Sequence, residues 1–443
     1  MEPPLLLDLA IKALIDNIDK LDKDLVKTII VPFRQKMLKE MLEMVRLNRR
    51  CNGQDDHNDK QWAILPFLIN SKNYTKLDLL DLMVCDSCTV TNSRFQEFIR
   101  GLRLNTPNLR ELIIYAPVLH DNEKFSLDER ELNSIIQLKN LAFLKIYFVQ
   151  VPLSGILDIS RRCEKLEEIF VDIVILDVEF SYDAFGDDFA NLHIDAYNIK
   201  HRQVSLMMKR KIGMGPKYKD NTQDVRLKLQ PEKNQDLFLV QWFAEKLKEI
   251  EFDSSQMENI DEFPHLPQLK KAMIICNSKS VHVLRCFMKR NGESLQELSL
   301  CQVSIRDKIA FSEILNFCPN LQSLALHCCS LSANDAPFDA IQQLKQFSWC
   351  SKNIDYRDKF AFSSILSAPL LEDINIDLSK IDFSDNATII GRIQKREILR
   401  NIKKINMVRR MNFIFEDEDD SSYWTSFTEL ENAFASVISA GPL

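Results

Sequence analysis

A short apolar pattern recurs along this chain and restricts what it can fold into. The pattern is apolar-x-x-apolar-x-apolar, and within its regular stretches successive starts lie 22 to 32 residues apart. Between the repeats, stretches such as "SRFQEFIRGL" and "DKIAFSEILNF" return apolar residues every three or four positions, which predicts helices. The pattern begins at Leu77, Leu109, Leu141, Leu166, Leu247, Leu269, Leu295, Leu321, Leu344, Leu371 and Ile402.

One unit of this kind, a short strand plus a helix, cannot bury its apolar face alone, so neighbouring units must stack side by side. This periodicity is typical of leucine-rich repeats. We therefore predict an α/β fold, a leucine-rich-repeat solenoid with a curved parallel sheet and helices on the convex side. "RDKIAFSEILNF" (306–317) nearly recurs as "RDKFAFSSILSA" (357–368), and we interpret it as one helix-to-strand crossover used twice, two repeats apart.

Several phrases resemble the irregular cysteine-containing repeats of F-box-like ligase receptors. They are "CPNLQSLALHCC", "CEKLEEIFV", "TPNLRELII" and "LPQLKKAMIICN". The resemblance implies that a Cys or Asn at the ninth repeat position caps the turn after the strand, a place taken here by Cys85, Asn277 and Cys329.

The repeats extend over residues 70–413, with an insertion near 196–235. There the pattern weakens around the loop-like "KRKIGMGPKYKDN", which is either a surface insertion in a degenerate repeat or a basic docking or nuclear-import element. Residues 414–443 comprise an acidic loop and a capping helix, in which Ser426 and Glu429 fit a capping box.

The first fifty residues do not follow the repeat, and a polar linker over 51–69 leads from them into the solenoid. "PLLLDLAIKALIDNIDKL" resembles the elongin-C-binding box of VHL-box leucine-rich-repeat proteins, the zyg-eleven and zer-one group, with Ala10 where that family has Cys. The resemblance implies a helix that inserts an apolar stripe into an adaptor groove. The residues that would carry it are Leu6, Ala10, Leu14 and Ile18, with Pro32 at the start of a following cullin-selecting box.

Two alternatives stay open for this segment. "VPFRQKMLKEML" also resembles an F-box, which would imply a Skp-type adaptor in place of elongin C with a cullin. A plain helical cap for the first repeat is the other interpretation, because two short helices make a weak independent core.

Composition excludes several function classes. The net charge of −7 argues against a nucleic-acid binder, and no apolar run is long enough to span a membrane. Eleven cysteines without disulfide-framework spacing indicate reduced thiols and a cytoplasmic location, with the nucleus also open. The pair Cys85 and Cys88 lacks a second ligand pair, and no nucleophile, P-loop or dinucleotide motif occurs, so we expect no metal, no cofactor and no enzymatic activity.

The remaining prediction concerns partner binding. Residues between the apolar repeat positions should point away from the core, along the concave sheet face. They form a predicted aromatic patch at Tyr115, Phe143, Tyr147 and Phe170 and an acidic stripe at Glu249, Glu251, Asp253, Asp373 and Asp377. We expect a basic protein segment to bind there, unless the N-terminal helices or the irregular segment cover the patch.

These features together favour a non-catalytic protein-interaction protein. The more specific hypothesis is a substrate-recognition subunit of a cullin-RING ubiquitin ligase. The alternative is a stand-alone leucine-rich-repeat scaffold or regulator with no ligase link.

Overall fold

A computed structural model of the 443-residue chain shows two compact units, Met1–Gln223 and Asp224–Leu443. The dividing point falls within residues 70–413, which we expected to be one run of repeats. The structure describes residues 6–17, 20, 22–48, 68–69, 74–79, 92–116, 125–179, 189–210, 224–257, 260, 262–277, 280–303, 309–329, 341–350, 360–361, 363–377, 381–382, 385–408 and 420–440.

The first unit begins with three helices, α1 (Leu6–Asp16), α2 (Lys23–Thr28) and α3 (Val31–Asn48). Helices α1 and α3 pack together, and an ion pair joins the Lys36 ammonium to the Asp8 carboxylate. Pro32 lies in the first turn of α3, where its missing N–H would have no partner within the helix.

The repeats of the first unit then follow. Their strands are β1 (Lys76–Asp78), β2 (Glu111–Tyr115), β3 (Phe125–Ser126), β4 (Phe143–Pro152) and β5 (Glu168–Ile175), and their helices are α4 (Asn92–Asn105), α5 (Glu129–Ile136) and α6 (Leu153–Arg162). Strands β1, β2, β4 and β5 are parallel neighbours in that order. Their register aligns buried core residues in one row: Leu77, Leu112, Leu144 and Ile169.

A hairpin interrupts the repeats after β5. Strands β6 (Phe189–Asn198) and β7 (Gln203–Arg210) pair antiparallel, and β7 also pairs antiparallel with β5. Its turn ends at Arg202, which adopts a left-handed conformation with φ 54°. Part of the segment near 196–235, for which a surface insertion and a basic docking element were both open, therefore forms strands of the sheet. Residues 211–223, with most of the basic loop, lie outside the described part.

The second unit is a longer run of parallel strands. Its sheet order is β8 (Asp224–Leu229), β9 (Leu247–Asp253), β10 (Lys271–Ile275), β11 (Glu297–Cys301), β12 (Ser323–His327), β13 (Gln346–Cys350), β15 (Asp373–Asp377) and β17 (Lys404–Val408). The two-residue strands β14 (Phe360–Ala361) and β16 (Ile381–Asp382) pair separately. Parallel strands, one per repeat and most of them joined through a helix, confirm the leucine-rich-repeat fold.

Most helices of this unit lie between its strands in the sequence, and the last one follows the final strand. They are α7 (Phe238–Phe243), α8 (Val281–Asn291), α9 (Phe311–Phe317), α10 (Ser363–Leu366), α11 (Asn386–Gln394) and α12 (Asp420–Ala440). The two near-identical segments, 306–317 and 357–368, contain α9 and α10 respectively. Helix α9 leads into β12, and α10 leads into β15. Because β13 lies between those strands, the two copies are two repeats apart, as the sequence predicted.

Two of the three predicted turn-capping residues are described. The Asn277 N–H donates to the Ser280 hydroxyl at 2.9 Å, and its side chain donates to the Ser255 carbonyl. The buried Cys329 thiol donates to the Leu300 carbonyl at 3.2 Å. Cys85 lies outside the described residues.

The C-terminal helix begins earlier than predicted. Helix α12 contacts α11 and buries Phe427, Leu430 and Phe434. The predicted capping box is wrong, because the helix starts at Asp420 and Ser426 lies in its interior, where its carbonyl accepts from Asn386 Nδ2 at 2.9 Å.

Candidate protein-interaction surfaces

The strand residues alternate between buried and half-exposed, as the repeat pattern predicted. In β2, Leu112 and Ile114 are buried, whereas Glu111, Ile113 and Tyr115 are half-exposed. Side chains of successive strand residues point to opposite sides, so the half-exposed residues of neighbouring strands form rows on the outer face of the sheet, opposite the core.

An aromatic patch lies at one end of this outer face in the first unit. We define it as Tyr115, Tyr147, Phe148 and Phe170. The ring centroids of Tyr115 and Tyr147 are 5.6 Å apart, those of Tyr147 and Phe170 5.1 Å, and those of Tyr115 and Phe148 5.0 Å. Contacts at these spacings hold the rings in fixed orientations and leave part of each exposed.

Sequence reasoning missed one member of the patch and placed another differently. Phe148 is 44% exposed and adopts φ 58°, an uncommon conformation for an aromatic residue, at the irregularity where the β4–β5 register shifts. Phe148 comes after the last apolar position of its repeat, so the repeat pattern does not predict to which side of the sheet its side chain points. Phe143 lies in a different row, in register with Glu111 and Glu168.

Two glutamates in the row of Phe143 are paired with lysines of adjacent strands. Lys76 Nζ lies 2.7 Å from a Glu111 carboxylate oxygen. Glu168 lies between two ammonium groups, with Lys145 Nζ at 3.5 Å and Lys209 Nζ at 3.2 Å. The charges of Glu111 and Glu168 are therefore locally balanced.

The predicted acidic stripe in the second unit is also partly neutralised. Arg226 Nε lies 3.1 Å from Glu249, and Lys228 Nζ lies 2.8 Å from Glu251. The Asp253 carboxylate accepts from the Ser255 N–H at 2.9 Å. Arg226 and Lys228 both lie in β8. The repeat pattern did not predict these ion pairs, because they depend on the register between β8 and β9.

The other predicted acidic residues lie further along the second sheet. The Asp373 carboxylate accepts from Gln346 Nε2 at 3.4 Å, and Asp373 stands in register with Lys404. The backbone of Asp377 ends β15, but its side chain lies outside the described residues. The prediction of a basic partner loses much of its support, because Glu249 and Glu251 already have basic neighbours.

The N-terminal helix α1 has an exposed apolar stripe. Leu6 is 84% exposed, and Ala10 and Leu14 are also exposed. Ile11 and Ile15 point the other way and are buried. Three of the predicted adaptor-binding residues, Leu6, Ala10 and Leu14, thus share one outer stripe. Pro32 is exposed on α3, and Ile18 lies outside the described residues.

The described residues offer little for catalysis. Among them, no group of three or more His, Cys, Asp or Glu side chains could hold a metal ion, and no helix could cross a membrane. Several thiols are buried in apolar surroundings. Burial raises the pKa of Cys163 and Cys276 to about 11 and that of Cys318 to about 12, which disfavours the nucleophilic thiolate.

Comparisons with known proteins add only distant similarities. No family model and no curated protein matches the sequence. An internalin from Listeria monocytogenes matches with 13% identity over 83% of this chain and 90% of its own, at a TM-score of 0.32. A leucine-rich-repeat protein of Leptospira interrogans matches with 14% identity over 79% and 81%, at 0.31.

TLR13 in its complex with ssRNA13 matches with 14% identity over 70% of this chain and 50% of its own, at a TM-score of 0.37. TM-scores this low carry no argument about fold or function. The fold assignment rests on the strand order and register of the chain itself.

Proposed function

We propose that this chain is a non-catalytic interaction protein that recruits a target to a cullin-RING ubiquitin ligase. In this role, the aromatic patch of the first unit binds the target, and helix α1 binds the adaptor. Ubiquitin transfer would belong to the assembled ligase. Such a role would place the protein in the cytoplasm or nucleus.

The exposed stripe of α1 is the observation that carries the adaptor part of this proposal. Leu6, Ala10 and Leu14 follow helical spacing on the outside, while Ile11 and Ile15 anchor the helix to the rest of the unit. Burying an exposed leucine in a partner groove contributes about 1.5–3 kcal/mol, so two leucines supply a useful share of a micromolar affinity. The resemblance to the elongin-C-binding box identifies the partner to test.

Co-purification tests the adaptor directly. Elongin C should accompany the wild-type protein and be lost with Leu6→Asp or Leu14→Asp, because a carboxylate would be buried in an apolar groove. Lys12→Asp places the same group elsewhere on α1 and should retain elongin C. A Skp-type adaptor in its place would favour the F-box version, and capture of neither adaptor would contradict the ligase link.

The aromatic patch supports the target-binding part. Exposed aromatic clusters are frequent binding anchors because they bury large areas at low entropic cost. The exposed rings favour a target segment that presents apolar or aromatic side chains.

Affinity capture followed by mass spectrometry tests the patch. Tyr115→Ala with Phe170→Ala should remove specific targets, while Phe33→Ala, which changes an exposed phenylalanine of α3, should not. All variants should keep the wild-type circular dichroism spectrum. If target capture is unchanged, the patch is not the binding surface.

The second candidate function is a stand-alone scaffold. The aromatic patch would serve it equally well, because target binding does not require the α1 stripe. Loss of targets on patch mutation, together with no adaptor in the wild-type complex, would favour the scaffold.

A further inference from the structure

An open cleft lies in the first unit, where strands β2, β4 and β5 begin. Its volume is about 510 Å³, and small-molecule sites usually occupy roughly 300–1,000 Å³. Most of its lining side chains are charged or carry an amide, and they include Arg110, Asn140, Ala142, Glu164, Lys165 and Glu167. A polar ligand therefore suits this cleft better than an apolar one, which would leave these groups without hydrogen-bond partners.

Three of the lining residues hold the same position in successive repeats. The Ala142 N–H donates to the Arg110 carbonyl at 2.7 Å, and the Glu167 N–H donates to the Ala142 carbonyl at 2.8 Å. Neighbouring strands lie about 4.8 Å apart, so the backbones of Arg110 and Glu167 are about 10 Å apart. Ala142 between them has only a methyl group, which leaves space between the two longer side chains.

The same repeat position in the second unit shows what happens without such a gap. Glu372 and Lys403 occupy it in adjacent repeats, where the Lys403 N–H donates to the Glu372 carbonyl at 2.7 Å. Their side chains form an ion pair at 2.6 Å. In the described part of the chain, by contrast, the Arg110 guanidinium and the Glu167 carboxylate make no ion pair and no side-chain hydrogen bond. Both charges are therefore available to a ligand in the cleft.

The charges that line the cleft are balanced. Arg110 and Lys165 are cationic, and Glu164 and Glu167 are anionic. Lys165 Nζ donates to Asn140 Oδ1 at 2.6 Å, so an amide rather than a carboxylate holds this ammonium group. A ligand with a single charge would leave the charges of its own sign unmatched, whereas a ligand with both an ammonium and a carboxylate group matches both kinds.

We propose that this cleft binds a small zwitterion, either a free amino acid or a short peptide. The Arg110 guanidinium donates two parallel hydrogen bonds to the ligand carboxylate. The Glu167 carboxylate accepts a hydrogen bond from the ligand ammonium group. This site does not depend on the proposed ligase role or on the aromatic patch, because Tyr115 lies at the other end of β2.

Saturation-transfer NMR with glycylglycine tests the proposal on the full-length protein. This probe has no side chains, so its terminal charges and its peptide bond must account for binding. Two blocked forms each lack one charge: N-acetyl-glycylglycine has no ammonium group, and glycylglycine amide has no carboxylate. Each should bind about tenfold more weakly than glycylglycine, because one charge-assisted hydrogen bond is lost. Sodium chloride keeps the ionic strength constant across the titrations.

Free glycine separates the two sources of the zwitterion. Tighter binding of glycine than of glycylglycine indicates a free amino acid, and the reverse order indicates a short peptide.

Matched variants locate the binding. Arg110→Met and Glu167→Gln remove one charge each at similar side-chain size, and each should weaken glycylglycine binding about tenfold. Arg130→Met, which changes an exposed arginine of α5, should bind glycylglycine like the wild type. Neither Arg110 nor Glu167 is buried, so their variants should keep the wild-type melting temperature.

Two outcomes would overturn the proposal. The wild type could give no saturation transfer to either glycine or glycylglycine. Alternatively, Arg110→Met and Glu167→Gln could bind glycylglycine as tightly as the wild type, which would locate any binding outside the cleft.

Discussion

Two glycines of the second unit provide a matched test of repeat packing. A Cβ atom built on Gly292, just after α8, would lie 2.2 Å from the Phe317 carbonyl oxygen and 2.8 Å from its carbon. A Cβ on Gly391, inside α11, would have nothing within 4 Å. Both backbones are compatible with alanine, so steric space decides the difference between the two substitutions.

The magnitudes follow from these distances. An ordinary contact between a Cβ atom and another heavy atom needs about 3.4 Å, so Gly292→Ala forces the next repeat to move by about 1 Å. The Phe317 carbonyl belongs to the backbone, so it cannot make room by a side-chain rotation. Overpacking of this kind costs about 1–3 kcal/mol, and the gain from restricting the unfolded chain offsets about 0.5–1 kcal/mol of it. Gly391→Ala should instead stabilise α11 by about 0.5–1 kcal/mol.

Thermal unfolding followed by circular dichroism is the appropriate assay. For a unit of this size, 1 kcal/mol corresponds to about 2–4 °C. The net loss for Gly292→Ala is about 0.5–2 kcal/mol and should lower the melting temperature by about 1–8 °C, whereas Gly391→Ala should raise it by about 1–4 °C. If Gly292→Ala is as stable as Gly391→Ala, the close approach between successive repeats at this position is wrong.

Two further predictions concern buried polar groups. The buried Glu131 accepts from Arg100 Nε at 2.6 Å and from the Asp128 N–H at 2.8 Å, so Glu131→Ala should lower the free energy of unfolding by about 1–3 kcal/mol in urea titrations. Asp158→Ala removes only an exposed ion pair and should stay within about 0.5 kcal/mol; equal losses would contradict the distinction. Burial raises the pKa of Cys318 to about 12, so iodoacetamide at pH 8 should label native Cys318 much more slowly than the half-buried Cys286. In urea the two thiols should react equally. Peptide mass spectrometry measures both labelling rates, and equal rates in the native protein would contradict the prediction.

The repeat pattern determined most of the fold in advance. Leu298 and Leu300 were assigned to the core and Tyr115 and Tyr147 to the outer face, and the structure places all four as expected. These assignments succeed because side-chain direction in a strand is a local property with a period of two. The repeat pattern did not predict the hairpin. In β7, apolar residues occupy every second position from Val204, and this simple alternation does not match the apolar spacing of the repeat.

The candidate surfaces were only partly predictable for the same reason. The sequence identified the apolar stripe of Leu6 and Leu14, but not which face of α1 the other helices would bury. It also identified Glu249 as outward-facing, but not the cross-strand contact with Arg226. A residue's neighbours on the adjacent strand depend on chain segments that are distant in sequence.

The sequence alone determined the unit of construction: a strand and a helix that must stack on copies of themselves to bury their apolar positions. Tertiary structure decided what each outer face offers a partner. Strand register brought lysines beside Glu168, and a shift in that register exposed Phe148. Helix packing buried Arg34. The reason is physical, since burial of a single repeat follows local periodicity, whereas charge balance and exposure depend on contacts between repeats.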